Sequence, residues 1–506
     1  MTAVLATDVL GGPLVYNARG GVGTPGVNQI TDPNALIYVL TDDLVNGKLK
    51  STVPREPLVL RAAAGDCITV ELTNGLPPPN VSLNGGIGAQ PGFVGATLQT
   101  SHDVGLHPQL LAYDVTTSDG FNIGFNDVVT IAPKDPPHTY KWYAGRVGHD
   151  ANGKAVYTPV EFGAVNLAPA DALMQENFGL AGALIIEPQG STWLTDENSR
   201  AQATVTKPDK TSFREAVVMV QDDLALGVQA LNYRSEPFPY RFANPNYLQN
   251  DPALSPLGAG RSQSDTLVAA DPQTPVFVAG AGVPLRMRVL HPAGVNEQVF
   301  ELHGHTWQEE PYSSDSSRIV DFNPNPLSQW TGSRDAFGPN ANFDVVLKHA
   351  GGTSAVQGDY LFRTFIGTDF LNGMWGLVRV GAPGKDVVTV TTYCAPPKPG
   401  VNAFTVSGVN TVNPSTHLMA KTVTITGTGL SIPPVNIPDA MTGQWSFTSS
   451  SITTAPPTIT VTSAQGGTTT TAELCPIIQV QNSAPGPHTT TEVDRFRPKA
   501  QTLKDK

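Results

Sequence analysis

Two stretches of the sequence, Leu180-Ala-Gly-Ala-Leu-Ile-Ile186 and Met374-Trp-Gly-Leu-Val-Arg-Val380, close two segments of similar rhythm. Each is a nearly continuous run of apolar and small residues, short enough for a buried strand. Ahead of the first, short runs at 36–40, 58–62, 65–74, 105–115 and 139–144 are separated by Gly, Pro and Asn turns. Ahead of the second come 213–221, 275–278, 284–290, 299–305, 343–348 and 358–363. Only 169–177 has the composition of a short helix. Strands at this spacing predict an all-β chain of two Greek-key sandwich or barrel units, over 31–190 and 212–384, related by an internal repeat. Residues 1–30 read as a Gly-rich extended arm and 191–211 as a polar linker. The irregular 229–265 stretch is long enough to wrap over a neighbouring domain.

From 386 the composition shifts to Thr, Ser and Val. Alternating runs at 404–408, 422–427, 445–448 and 458–463 predict a small sandwich over 386–480 that resembles immunoglobulin-like modules. Residues 481–506 end in basic residues and read as a solvated tail or a docking arm.

Composition narrows the classes. Of 506 residues, 40% are hydrophobic and only 15% charged, against about 25% charged in typical soluble chains. With 49 Gly and 44 Pro, this is a turn-rich β composition suited to the cell surface or extracellular space. A net charge of −12 lacks the basic footprint that nucleic acid requires. No apolar run reaches the length of a membrane span. The N-terminal Ala3-Val-Leu-Ala6 is too short for a signal-peptide core. Three cysteines make no disulfide framework. Cys394 and Cys475 lie near the ends of the Ser/Thr-rich segment and are placed to close it, and Cys67 reads as a small buried hydrophobe.

Within Val299-Phe-Glu-Leu-His-Gly-His305, alternation puts Val299, Glu301, His303 and His305 on one face and Phe300 and Leu302 on the other. Glu and His sharing a strand face is a metal-binding pattern. The isolated His102, His138, His149, His291, His349, His417 and His488 read as surface or cap residues. Asp119, Asp222 and Asp223 read as turn and strand-end hydrogen-bonding groups, because no calcium loop surrounds them.

Five motifs carry a family resemblance: Leu106-His-Pro-Gln-Leu-Leu-Ala-Tyr-Asp114 with Ser118-Asp-Gly120, Phe178-Gly-Leu-Ala-Gly182, Phe300-Glu-Leu-His-Gly-His-Thr-Trp307, Asn342–Gly352 and Gly373-Met-Trp-Gly376. In this order they resemble the cupredoxin domains of multicopper oxidases, particularly large bacterial manganese-oxidase types, over about 36–384. The resemblance implies a mononuclear copper held by Cys and His and a three-copper cluster held by four His-x-His pairs. This chain has ten His, one such pair (His303/His305) and no Cys flanked by His. At the positions the resemblance assigns, Gln109 follows His107, and Leu167 and Pro169 stand for the second pair. Gln298 stands for the mononuclear-site His, and Glu301 and His303 for the next pair. Arg363-Thr364-Phe365 replaces His-Cys-His, Asp369 replaces the later His, and Met374 keeps the axial position. A remnant metal site would use His107, Glu301 and His303, with copper or another divalent ion as occupant.

The reading is therefore a multicopper-oxidase-like chain that is non-catalytic, expects no cofactor, and serves as a structural or assembly protein. Its partners would be further copies, as a homo-oligomer or polymer, or other surface proteins. One alternative is a metal-binding protein or weak oxidase at the remnant. The other is a surface module that binds carbohydrate through Trp445 and Phe447.

Overall fold

The computed structural model describes residues 1–18, 29–79, 99–222, 224, 228–238, 271–311, 325–396 and 401–474. Almost every described element is a strand; the helices are short single turns such as Ala6–Leu10, Glu176–Phe178 and Gly367–Leu371. None is long and apolar enough to cross a membrane.

The internal repeat is a repeat of sheet order. In the first unit one sheet runs Leu58–Ala63, Gly182–Glu187, Gly163–Pro169, Leu106–Pro108. In the second the order is Val276–Gly280, Trp375–Gly381, Gly358–Thr364, Gln298–Leu302, with Ser333–Phe337 added at the edge. In both, the closing strand pairs in parallel with the first and antiparallel with its other neighbour. Leu106–Pro108 and Gln298–Leu302, which carry the histidine motifs, thus occupy equivalent places.

Each of these sheets faces a second one. In the first unit that sheet contains Thr2–Leu5, paired antiparallel to Leu36–Val39 and parallel to Cys67–Asn74. The N-terminal residues are therefore a strand of the first unit and not an arm, because Ala3, Val4, Ala6 and Val9 bury fully. Thr192–Asp196 and Ser199–Thr206, inside the stretch read as a linker, form a hairpin hydrogen-bonded to Ser212–Gln221. Its inward residues Ala201, Ala203 and Val205 are small, so its apolar face was hidden among Thr, Ser and Gln. The 105–115 run breaks after Pro108, where Leu110 takes a positive φ of 61°. Most of the 229–265 excursion, Cys475 and the 481–506 tail lie outside the described residues. Cys67 is an exposed free thiol, not a buried one. Alternation along Cys67–Asn74 turns Val70, Leu72 and Asn74 inward and leaves Cys67 on the outer face. Cys394 is disulfide-bonded.

Every residue of Gly163–Pro169 and Gly182–Glu187 is buried. Val165, Leu167, Leu184 and Ile186 join the first unit's own core. Alternate residues Ala164, Ala183 and Ile185, with Val59, join the core of the second unit beside Val217, Met287 and Val289. One sheet therefore packs on two cores, which is why its strands read as continuous apolar runs.

The seam between units also holds charges. Arg288 donates to Glu187 at 2.7 Å and Glu215 at 3.0 Å and lies 3.1 Å from Asp344. Arg61 donates to the other oxygen of Glu215 at 2.8 Å. Arg286 pairs with Glu161 and lies over the Phe213 ring, 4.0 Å from its centroid. Gly163 sits against Asp344 with φ +67°, and a Cβ there would be 1.8 Å from the Asp344 carboxylate.

The third unit is a small sandwich with a sheet Val388–Cys394, Phe404–Asn410, Gln444–Ser449 facing one of Val435–Asn436, Thr422–Thr426, Thr458–Ser463, Thr468–Ala472. It has its own core around Phe404, Val423, Trp445 and Val461. It grips the turn of the Thr192–Thr206 hairpin. His417 donates to Asp196 at 2.9 Å, and Glu197 receives the Met419 N–H at 2.8 Å.

The Gly163 contact gives a test. Gly163→Ala combines a left-handed backbone with overpacking, so it should cost about 2–4 kcal/mol. Gly153→Ala, equally left-handed but with nothing within 4 Å, should cost about 1–2 kcal/mol. Urea denaturation of the two variants compares them.

Candidate functional site

Gln298–Leu302 turns Gln298, Phe300 and Leu302 into the core and leaves Val299 and Glu301 half-buried. Alternation places Glu301 as expected, but the strand ends at Leu302. Gly304, at φ +68°, turns the chain, so His305 does not share the Glu301 face. Its Nδ1–H donates to the His303 carbonyl at 2.9 Å, and its Nε2 accepts the N–H groups of Gly351 and Gly352, each at 3.1 Å. Burial holds the His305 imidazole below its ordinary pKa. It is a neutral ring that ties two loops together.

Glu301 and His303 meet, with Nε2 to Oε2 at 3.3 Å, and Arg363 Nε also reaches Glu301 at 3.1 Å. His107 is held apart from them, within the first unit. Its Nδ1–H donates to the Asp119 carbonyl at 2.8 Å, and its ring stands edge-on to Phe121. Among the described residues no group of three or more His, Cys, Asp or Glu is placed to hold a metal ion. The three candidate ligands are thus split into a pair and a single residue.

Gln109 has a different task. Its Oε1 accepts from Asn166 at 3.0 Å and Asn342 at 2.6 Å, and its Nε2 donates to the Asn340 carbonyl. Asn166 belongs to the first unit and Asn342 to the second, so this amide cluster stitches the two units together.

The positions assigned to the mononuclear centre converge. Thr364 Oγ1 donates to Gln298 Oε1 at 2.6 Å. Gln298 Nε2 donates to Asp369 Oδ2 at 2.7 Å and to Asp222 Oδ2 at 3.2 Å. Met374 is buried, and its N–H donates to the Asp369 carbonyl at 3.1 Å. Asp222 also accepts the Nε2–H of His291 at 3.1 Å and the backbone N–H groups of Val295 and Asn296. Gly294, at φ +137°, makes room for this carboxylate, because a Cβ would lie 1.1 Å from Asp222 Oδ1.

These side chains do not fit a blue-copper ion. Such a site uses a thiolate and two imidazoles, whereas this one offers an amide, a hydroxyl, carboxylates and a thioether. The amide and the hydroxyl are already used by each other and by the carboxylates.

Asp222 and Asp119 work as hydrogen-bond acceptors at turns and strand ends, as their sequence context suggests. His291 and His417 do not sit on the surface. Both are buried beside carboxylates, Asp222 and Asp196. His291 lies within the strand Leu285–Ala293, directly after Val289 and Leu290, a weak signal for burial. Trp445 is 3% exposed and donates to Asn410 at 2.9 Å inside the third core, so it forms no ligand platform.

The convergent cluster can be tested by stability. Thr364→Val leaves the buried Gln298 carbonyl without its donor and should cost about 1–3 kcal/mol. His303→Gln breaks only a half-exposed pair and should cost about 1 kcal/mol or less. Equal costs in urea titrations would contradict this ranking.

No family model matches the sequence, and no curated protein matches it. Among solved structures, the chain is similar to a multicopper oxidase at 14% identity, covering 75% of this chain and 87% of that one, with a TM-score of 0.39. It is similar to a blue copper oxidase from Nitrosomonas europaea at 16% identity, covering 68% and 82%, with a TM-score of 0.36. A copper nitrite reductase from Nitrosomonas europaea is similar at 13% identity, covering 75% and 93%, with a TM-score of 0.37.

Proposed function

We propose that this chain is a multicopper-oxidase-like protein with degenerate copper sites, followed by an immunoglobulin-like module, that acts as a non-catalytic structural or assembly protein of the cell surface or extracellular space. One observation carries the non-catalytic half. Gln298, Thr364 and Asp369 meet where the resemblance assigns the mononuclear copper, and they satisfy each other by hydrogen bonds of 2.6 and 2.7 Å. A buried polar network closed on itself is costly to open, because each freed group loses its partner.

The assembly half draws on the surface. Loop 114–128 exposes Val115, Ile123, Phe125 and Val128, with Phe125 97% exposed. The loop is ordered by its own bonds: Asn122 Oδ1 accepts two backbone N–H groups, and Asn126 Nδ2 donates to the Val115 carbonyl. Its exposed charges, Asp114 and Asp127, are acidic. The loop runs along the His138–Tyr143 strand: the Thr117 carbonyl accepts from His138 Nε2–H, and Ser118 accepts the Lys141 N–H and the Trp142 indole N–H. Beyond Tyr143 the hairpin of Gly145–His149 and Ala155–Pro159 exposes Val147, Val156 and Tyr157 beside Arg146, Asp150 and Lys154. Two separate apolar patches, one with an acidic rim and one with a mixed, net basic rim, suit a head-to-tail contact between copies, which propagates into an open polymer.

A second reading has one observation of its own. His107 gives its Nδ1–H to a carbonyl, the arrangement common in metal-bound histidine, and Glu301 with His303 forms a pair that can take a divalent ion weakly.

Metal content and particle size measured on one purified sample separate the readings. The structural reading expects well under one metal per chain, no oxygen consumption with a phenolic or manganous donor, and particles larger than a monomer. Near-stoichiometric copper that disappears in His303→Ala supports the remnant site instead. Phe125→Ser with Val128→Ser should shrink the particles while leaving the urea midpoint unchanged. A chain that stays monomeric at high concentration ends the assembly reading.

A further inference from the structure

The seam between the two large units encloses more carboxyl groups than guanidinium groups. Around Arg288 stand Glu187 from the first unit and Glu215 and Asp344 from the second, and Arg61 of the first unit reaches Glu215 from the other side. Their side chains are 0–3% exposed. Three carboxylates would thus face two cations in a space without water. Arg286 and Glu161 pair beside them, so the excess of one carboxyl persists over the whole cluster, four carboxyls to three guanidiniums. The five are tied into strands: Arg61 in Leu58–Ala63, Glu187 in Gly182–Glu187, Glu215 in Ser212–Gln221, Arg288 in Leu285–Ala293 and Asp344 in Asn342–Leu347.

The donors are not shared evenly. Both oxygens of Glu215 accept from arginine, Oε1 from Arg61 and Oε2 from Arg288. Glu187 accepts from Arg288 through Oε2 alone, and its Oε1 is buried with no donor. An anionic oxygen left bare in the interior is costly, whereas a hydroxyl at that oxygen turns it into a donor.

We propose that the two large units are locked together by one structural proton, carried on Glu187 and shared with Glu215, and that the lock is released as the surroundings turn alkaline. The proton leaves the seam with two guanidiniums facing two carboxylates and one neutral carboxyl. Removing it creates an uncompensated buried charge at the contact between units. This inference is independent of the function proposed above.

The electrostatics agree. Burial pushes the Glu187 carboxyl well up, the neighbouring Glu215 adds to this, and Arg288 opposes it. Burial would also raise Glu215, but Arg61, the hydrogen bond with Glu187, and Arg288 hold it down. Burial raises Glu161 as well, against the pull of Arg286 and Arg288, so that carboxyl is the rival seat for a proton.

The sign of the pH effect follows. Glu187 is raised in the folded state, so its contribution is complete below the ordinary glutamate value of about 4.3. It is lost as pH rises through the folded value. Over that window the folded protein holds one more proton than the unfolded chain, so the unfolding constant rises about tenfold per pH unit.

Infrared spectroscopy of the full chain at pH 7, in a Glu176→Gln background that removes the other carboxyl lifted by burial, to about 8, should show the carbonyl stretch of a protonated carboxyl, and adding Glu187→Gln should remove it. A stretch that survives Glu187→Gln but vanishes in Glu161→Gln overturns the assignment, and so does its absence from the Glu176→Gln background. The second measurement compares urea unfolding at pH 7, 8 and 9. Glu187→Gln should lose the Glu187 share of the alkaline decline, so its unfolding constant should climb less steeply by about tenfold per pH unit. Parallel declines in the two proteins overturn the lock. If Glu187→Gln does not fold while the unaltered chain shows no alkaline decline, the proposal fails on the unaltered chain alone.

Discussion

The architecture depends on one sheet with two covered faces. Gly163–Pro169 and Gly182–Glu187 give alternate side chains to the core of their own unit and to that of the next. Such strands must be apolar or small throughout, and they can approach a second sheet closely only where side chains are short. Ala164 and Ala183 on the outer face supply that. The apolar area makes the contact favourable but does not set its register. Directional groups do that: the Gln109 amide between Asn166 and Asn342, the Arg288 fork, and Gly163 against Asp344. Removing one partner of a buried ion pair costs about 3–5 kcal/mol, so a sliding motion along this seam would break several contacts of that size together.

The same logic governs the interior of the second unit. Strand order fixes where Gln298 and Thr364 project, and the helical turn Gly367–Leu371 brings Asp369 to them. Buried polar side chains must find partners or be lost. They find one another, and Asp222 is held in turn by His291, Gln298 and two backbone N–H groups. The result is a dense hydrogen-bonded plug in the unit's centre.

Much of this was legible in the sequence. Period-two runs and Gly-bounded apolar stretches located most strands of both units and of the C-terminal sandwich. The repeat seen as rhythm proved to be a repeat of sheet order. What failed has physical causes. The hairpin Thr192–Thr206 hides its buried face behind alanines, which carry little hydropathy contrast. The N-terminal strand is short and gains its stability from pairing with Leu36–Val39 and Cys67–Asn74, not from its own pattern. The Glu301–His303–His305 face failed at a single turn, since alternation holds only while the backbone stays extended. Cys67 was misplaced although alternation with Val70 and Leu72 pointed the right way.

The buried charges were the least legible part. Arg286 and Arg288 alternate with Met287 and Val289, a pattern indistinguishable from a strand with one solvated face. What sets them apart is a second set of charges, Glu161 and Glu187, arriving from another unit at the matching height. No local window contains both halves. A charge on the outer face of one domain becomes interpretable only when the partner sheet is known. The sheet that covers this face belongs to the first unit, whose closing strand ends on Glu187. The strand whose apolar run first marked the repeat therefore carries, in its last residue, the group that joins the two halves.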